Sequence, residues 1–157
     1  MHKEQEADDF TGLRARDLVL ESTNRAYPEQ ENVPQTIFGG YLIRKAYELA
    51  ALASELVAPD RAVPCQVNRI NFNQPVLLGD QLKFTARVVY TGKTTISVQS
   101  DIERFSRTRG DKALSNSCLF TFQNVDEAMQ PAKVPFIYPT TYAEDERFLN
   151  AYRQRID

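Results

Sequence analysis

GYLIRKAYELAALASELV, residues 40–57, reads as one long helix. Leu, Ala, Glu, Lys and Arg dominate it, Gly39 and Gly40 open it, and Pro59 supplies the stop. Wound at about 100° per residue, Arg44, Lys45, Glu48 and Glu55 gather on one side with Tyr41 and Leu52, and the remaining arc is almost wholly apolar. An apolar arc that wide calls for a surface that wraps it.

The rest of the chain supplies that surface. Asp17 to Thr23 (DLVLEST) is a short β-prone run, followed by the proline-containing loop RAYPEQENVPQT. Beyond the helix, four runs carry the two-residue period of strands. Cys65 to Phe72 changes phase between Val67 and Ile70, which predicts a bulge. Leu82, Phe84, Ala86, Val88 and Tyr90 then alternate with polar partners, and after the turn Thr91-Gly92-Lys93 so do Ile96, Val98, Ser100 and Ile102, giving a hairpin of two long strands. Leu114, Asn116, Cys118, Phe120 and Phe122 share one face of the last run. The resulting fold class is α+β: a curved antiparallel sheet around one long central helix. A five-stranded open sheet leaves an edge, and a dimer joining two sheets is the natural remedy. The expected organisation is a flexible polar leader over residues 1–16, the sheet-and-helix domain over 17–128, and an extension over 129–157 with a docked helix striped by Phe148, Leu149 and Tyr152.

Composition narrows the function. With 19 Lys plus Arg against 21 Asp plus Glu, the net charge of −2 offers no field for nucleic acid or an anionic membrane. No run approaches ~20 apolar residues, so no membrane insertion is expected, and MHKEQEADDF lacks the basic and apolar regions of a signal peptide. Cys65 and Cys118 have no CxxC spacing and read as small buried hydrophobes in a reducing compartment, so an intracellular soluble setting, cytoplasm or mitochondrial matrix, is expected. The single histidine, His2, lies in the leader, which argues against a histidine triad, a histidine-containing zinc site or a histidine-based dehydratase. Chemistry therefore falls to carboxylates, hydroxyls, amides or backbone groups.

Thr36-Ile37-Phe38-Gly39-Gly40 stands where a loop becomes the helix. The free N–H groups of a first helical turn, reinforced by the helix dipole, suit a developing oxyanion; equally, paired glycines admit a tight turn or a neighbouring strand. Glu48 is the one carboxylate in the first three turns and a candidate base, with Arg44 four residues earlier offering an ordinary helix ion pair instead. Asn32 and Thr36 are placed to orient a water or a carbonyl, or to serve as turn residues, and Tyr41 and Tyr47 read as packing groups. Arg104, Arg107, Arg109 and Lys112 cluster around the last strand turn, where they would meet ligand phosphates or solvent.

Asn32 to Ala50 (NVPQTIFGGYLIRKAYELA), Ile70 to Val76 (INFNQPV), Gly79-Asp80 and the tail from Val134 to Tyr142 together resemble the hotdog-fold acyl-coenzyme A thioesterases. The likeness is nearest to the C-terminal hotdog of the mitochondrial acyl-coenzyme A thioesterases nine and ten. It implies a hotdog fold and hydrolysis of acyl-CoA to free fatty acid and CoA, with no metal or redox cofactor. The same resemblance implies Glu48 as base or nucleophile and the N–H groups of Gly39 and Gly40 as the oxyanion site; in related thioesterases an Asn just before the glycines often helps across a subunit interface. Two positions depart from the family pattern. Thr36 stands where many relatives have Asn, and the acid falls at Glu48 rather than at Tyr47, about 100° further round the helix. Either the carboxylate has shifted, or the domain is a half-site completed by another hotdog. The alternative is a non-catalytic acyl-CoA-binding or assembly module.

Overall fold

Alanines bring the helix and the sheet together. The computed structural model describes residues 12–26, 31–32, 36–37, 39–58, 62–72, 75–106, 110 and 112–156. In chain order its strands are β1 (Leu13–Arg14), β2 (Val19–Arg25), β3 (Glu31–Asn32), β4 (Thr36–Ile37), β5 (Ala62–Phe72), β6 (Gln81–Thr91), β7 (Thr95–Phe105), β8 (Lys112–Asn124) and β9 (Ile137–Tyr138). Helix α1 spans Gly39–Ser54 and α2 spans Tyr142–Arg153. Ala46, Ala50 and Ala53 on α1 have no exposed surface, and the Ser100 hydroxyl of β7 donates to the Ala46 carbonyl at 3.1 Å. A side chain no larger than a methyl is what permits that approach.

The main sheet runs β2-β6-β7-β8-β5, antiparallel throughout. Its inner face contributes Leu82, Phe84, Val88, Ile96, Val98, Ile102, Phe120 and Phe122, all buried against α1. The expected hairpin is β6–β7, and the phase change in β5 is a real irregularity: its register against β8 shifts between Asn68 and Asn71. Val67, Ile70 and Phe72 of the β5 edge strand are exposed, as are Leu52 and Leu56 on α1. Gly79 takes φ +86° in the turn before β6. The Asp80 carboxylate there accepts from the Leu77 N–H at 3.0 Å, and Ala26 exchanges backbone hydrogen bonds with Gly79 and Asp80, fixing the end of β2.

Four features differ from the sequence reading. The helix stops at Ser54 rather than Val57, because Glu55 to Val57 tighten into bonds to the third residue back. Leu13 and Arg14, inside the expected leader, pair in parallel with Ile137 and Tyr138 as β1–β9, and Ala15 is buried. Within the C-terminal extension, α2 is capped by Thr141, whose hydroxyl accepts from the Glu144 N–H. It packs on the outer face of β6, where the Tyr90 ring meets Phe148 and Tyr152 edge-on at 5.2 and 5.9 Å. Leu149 is exposed instead of joining that stripe, and Ala151 takes its place. Cys65 is exposed on the edge strand and only Cys118 is buried. His2 lies outside the described residues.

Burial, with the Asp101 charge adding to it, pushes the Cys118 thiol up to about 12. An unfolded thiol releases its proton near ~8.5 whereas the folded one holds it, so stability falls as pH rises from there toward 12. At pH 8 a disulfide thiol reagent is expected to titrate Cys65 in the native protein and Cys118 only after denaturation. Rapid native reaction of both would contradict the burial. Replacing Ala46 with Leu is expected to cost about 1–3 kcal/mol in urea unfolding, since the helix must lift from β7. An unchanged midpoint would show that the helix seat is slack.

Candidate active site

The start of α1 is built by a small hairpin. Strands β3 and β4 pair antiparallel with Asn32 opposite Thr36 and Glu31 opposite Ile37, so two residues read separately along the chain are register partners just ahead of Gly39. No acidic residue lies in the first turn of α1, which leaves the positive end of its dipole uncompensated from within the helix. Gly40 is exposed. Gly39 sits beneath the Phe72 ring of β5, and a Cβ added there would fall 2.8 Å from Phe72 Cε1. The glycine thus admits a neighbouring strand, as one of the two readings anticipated. Phe38 lies outside the described residues.

Glu48 lies elsewhere. Gly39 and Glu48 are nine residues apart, which an α-helix converts to about 13 Å along its axis and about 180° around it. The glutamate points toward β2: it lines a crevice of about 170 Å³ with Ser22, Asn24, Lys45, Leu49, Leu52 and Phe84. Its side chain is 46% exposed and bonded to Arg44 at 3.0 Å, with Lys45 Nζ at 3.8 Å. Within one protomer Glu48 and Gly39 therefore face opposite edges of the sheet. Tyr47 packs against Phe120 and Phe122 with ring centroids 5.8 and 6.1 Å away. Tyr41 lies beside the Lys45 ammonium, 5.9 Å from its ring centre.

The basic turn cluster also needs revision. Arg104 is 2% exposed because it continues the inward phase of Ile96, Val98, Ser100 and Ile102, so it is no surface phosphate ligand. Lys112 is paired with Glu103 at 2.9 Å. Arg107 and Arg109 lie outside the described residues. No group of three His, Cys, Asp or Glu that would hold a metal occurs among the described residues, and no helix there is long and apolar enough to cross a membrane. Sequence reasoning missed the Asn32–Thr36 pairing, for which strands of two residues carry no periodic signal.

Because the Arg44–Glu48 pair is solvated, Arg44→Ala is expected to change unfolding free energy by less than about 0.5 kcal/mol. A loss several times larger in a urea titration would mean the pair is shielded by something besides water.

The model of the thioesterase superfamily matches residues 34–110. Mouse mitochondrial acyl-coenzyme A thioesterase 10 is 34% identical over 137 residues, 87% of this chain but 30% of its own length, so the chain spans under a third of that relative. An uncharacterized acyl-CoA thioester hydrolase from Zymomonas mobilis is 33% identical over 125 residues, covering 77% of this chain and 81% of its own. Among solved structures, an apo-hexameric acyl-CoA thioesterase superposes with a TM-score of 0.86 at 25% identity, over 91% of this chain and 92% of that one.

Proposed function

The chain belongs to the thioesterase superfamily of hotdog proteins, and on that premise we propose that it hydrolyses acyl-CoA to a free fatty acid and CoA. The observation that carries the reading is the uncompensated N-terminus of α1 behind the Asn32–Thr36 pair, an arrangement suited to a polarised thioester oxygen. In this scheme the Gly39 and Gly40 N–H groups donate to the carbonyl oxygen, and Asn32 and Thr36 orient the acyl group or the water. The Glu48 carboxylate takes a proton from water as the oxygen attacks the carbonyl carbon. When the carbon–sulfur bond breaks, that proton passes to the CoA thiolate, and the carboxylate is restored. No metal or redox step is required.

Since Glu48 and Gly39 of one chain face opposite edges, the acid that serves a given pair of glycines is assigned to a second copy. The exposed apolar residues Val67, Ile70 and Phe72 of the β5 edge supply surface for such an association. Hexamers are described for the superposed thioesterase. A homo-oligomer, dimer or larger, is thus part of the proposal, with acyl-CoA and CoA as substrate and product.

Thiol release from a panel of acyl-CoAs is expected in the wild type, with kcat lowered about 10²–10⁴-fold in Glu48→Gln and about 10²–10³-fold in Gly39→Ala. Mixed oligomers of the two variants should regain about a quarter of wild-type activity, since half the dimers are mixed and each then holds one intact composite site of two. Failure of the mixture to recover, with both parents inactive, would refute the sharing of sites. A second reading is favoured by the exposed, ion-paired state of Glu48: a module that binds acyl-CoA without cleaving it. That reading predicts thermal stabilisation by CoA and no thiol release on any chain length.

A further inference from the structure

On the outer side of the sheet, away from α1, a cavity of about 420 Å³ lies between the first half of α2, strand β6 and the turn before β2. Its wall is apolar at Val19, Val89 and Ala143, and three guanidinium groups face it: Arg16, Arg87 and Arg147. Of the carboxylates, Glu144 lines the cavity and Asp101 stands beside Arg87, and both are already hydrogen-bonded. Asp101 accepts from Arg87 at 3.0 Å, from Ser117 at 2.8 Å and from Gln99. Glu144 is bonded to the hydroxyls of Thr140 and Thr141, and Arg16 Nε donates to Thr140 Oγ1 at 2.9 Å.

Arg147 is different. It is half-buried, and among the described residues it makes no hydrogen bond or ion pair. Burial, then the like charge of Arg87, pull it below the ordinary arginine value, and Asp101, Glu144 and Glu146 only partly oppose them. Arginine does not give up its proton at physiological pH, so Arg147 stands as a half-buried cation near the like charge of Arg87, which is itself paired with Asp101. A negatively charged group in the cavity would offset that repulsion and be met by planar, multiple donors. The volume falls within the range of small-molecule sites, which pair a mostly apolar lining with a few convergent polar groups.

We propose that this cavity binds a small amphiphilic anion, its carboxylate or phosphate monoester head held by Arg147, Arg87 and Arg16, its hydrocarbon body on the valine and alanine wall. The site is separate from the start of α1 and does not depend on the hydrolase reading.

The test uses three probes with one eight-carbon body: octanoate, octyl phosphate and the neutral octanamide. Titration calorimetry on the full chain should give saturable binding of at least one anion, at least tenfold tighter than octanamide, and the tighter anion identifies the head group. Methyl resonances of Val19, Val89 and Ala143 should shift on binding. Arg147→Gln should weaken the anion at least tenfold with thiol release unchanged, and Arg16→Gln should weaken it to a smaller extent. Should Arg147→Gln fail to fold, Arg147→Lys serves in its place and should keep part of the affinity. The proposal is overturned if neither anion binds, if octanamide binds as well, if shifts are confined to methyls around α1, or if Arg147→Gln dissociates the oligomer while leaving probe affinity unaltered.

Discussion

Contact between the alanine face of α1 and the inner face of the sheet governs the rest of this fold. Ala46, Ala50 and Ala53 are wholly buried, and the Ser100–Ala46 hydrogen bond ties the helix backbone directly to β7. A hydrogen bond to a carbonyl already used within the helix is worth about 1 kcal/mol at most. Its geometric effect is larger. With the backbone held this close, Tyr47 reaches Phe120 and Phe122 on one flank, while Glu48 and Leu49 line a crevice with Phe84 on the other. The first turn is brought under Phe72. A bulkier face on α1 would displace all three together.

What the sequence revealed follows the range of the interactions. The long helix and the β6–β7 hairpin are local, and their apolar periods of about 3.6 and 2 residues are written in consecutive positions. The irregularity in β5 was legible for the same reason, because a bulge reverses the phase between Val67 and Ile70. Pairing of Leu13–Arg14 with Ile137–Tyr138 joins the two ends of the chain, and a two-residue strand has no period to read. Arg104 was grouped with the turn by its neighbours in sequence, although counting on from Ile102 by two already put it inside. Thr141 and Glu144 at the start of α2 carried a capping signal that accounts for the helix boundary.

The site was only half legible, and the missing half is geometrical. Residue types at the start of α1 suggested the chemistry proposed for it, and the register of β3 with β4 sets Asn32 against Thr36. Angular position on the helix determines the partner. A shift of one residue rotates a side chain by about 100°, which here separates a place in the aromatic core from a place over β2. With Tyr47 packed inward and Glu48 turned to the other edge, no single chain brings acid and glycines to one carbonyl. That constraint links the proposed hydrolysis to association: the same exposed β5 edge that leaves an open sheet in need of a partner belongs to a chain in which the proposed scheme pairs Glu48 with the glycines of a second copy.

Strand β6 serves both sides of the molecule, and its own irregularity explains how. Up to Val88, alternation sends Leu82, Phe84, Ala86 and Val88 inward and Arg87 outward. The register against β7 slips between Val88 and Tyr90, so Val89 and Tyr90 both join the outer cluster beneath α2. This extra outward residue gives Phe148 and Tyr152 an aromatic anchor, and it seats the end of α2 while its first half stands off over Arg87. The space between is the arginine-lined cavity. Had the strand kept strict alternation, Tyr90 would have faced α1, α2 would have lost its anchor, and the three guanidinium groups would have had no common enclosure.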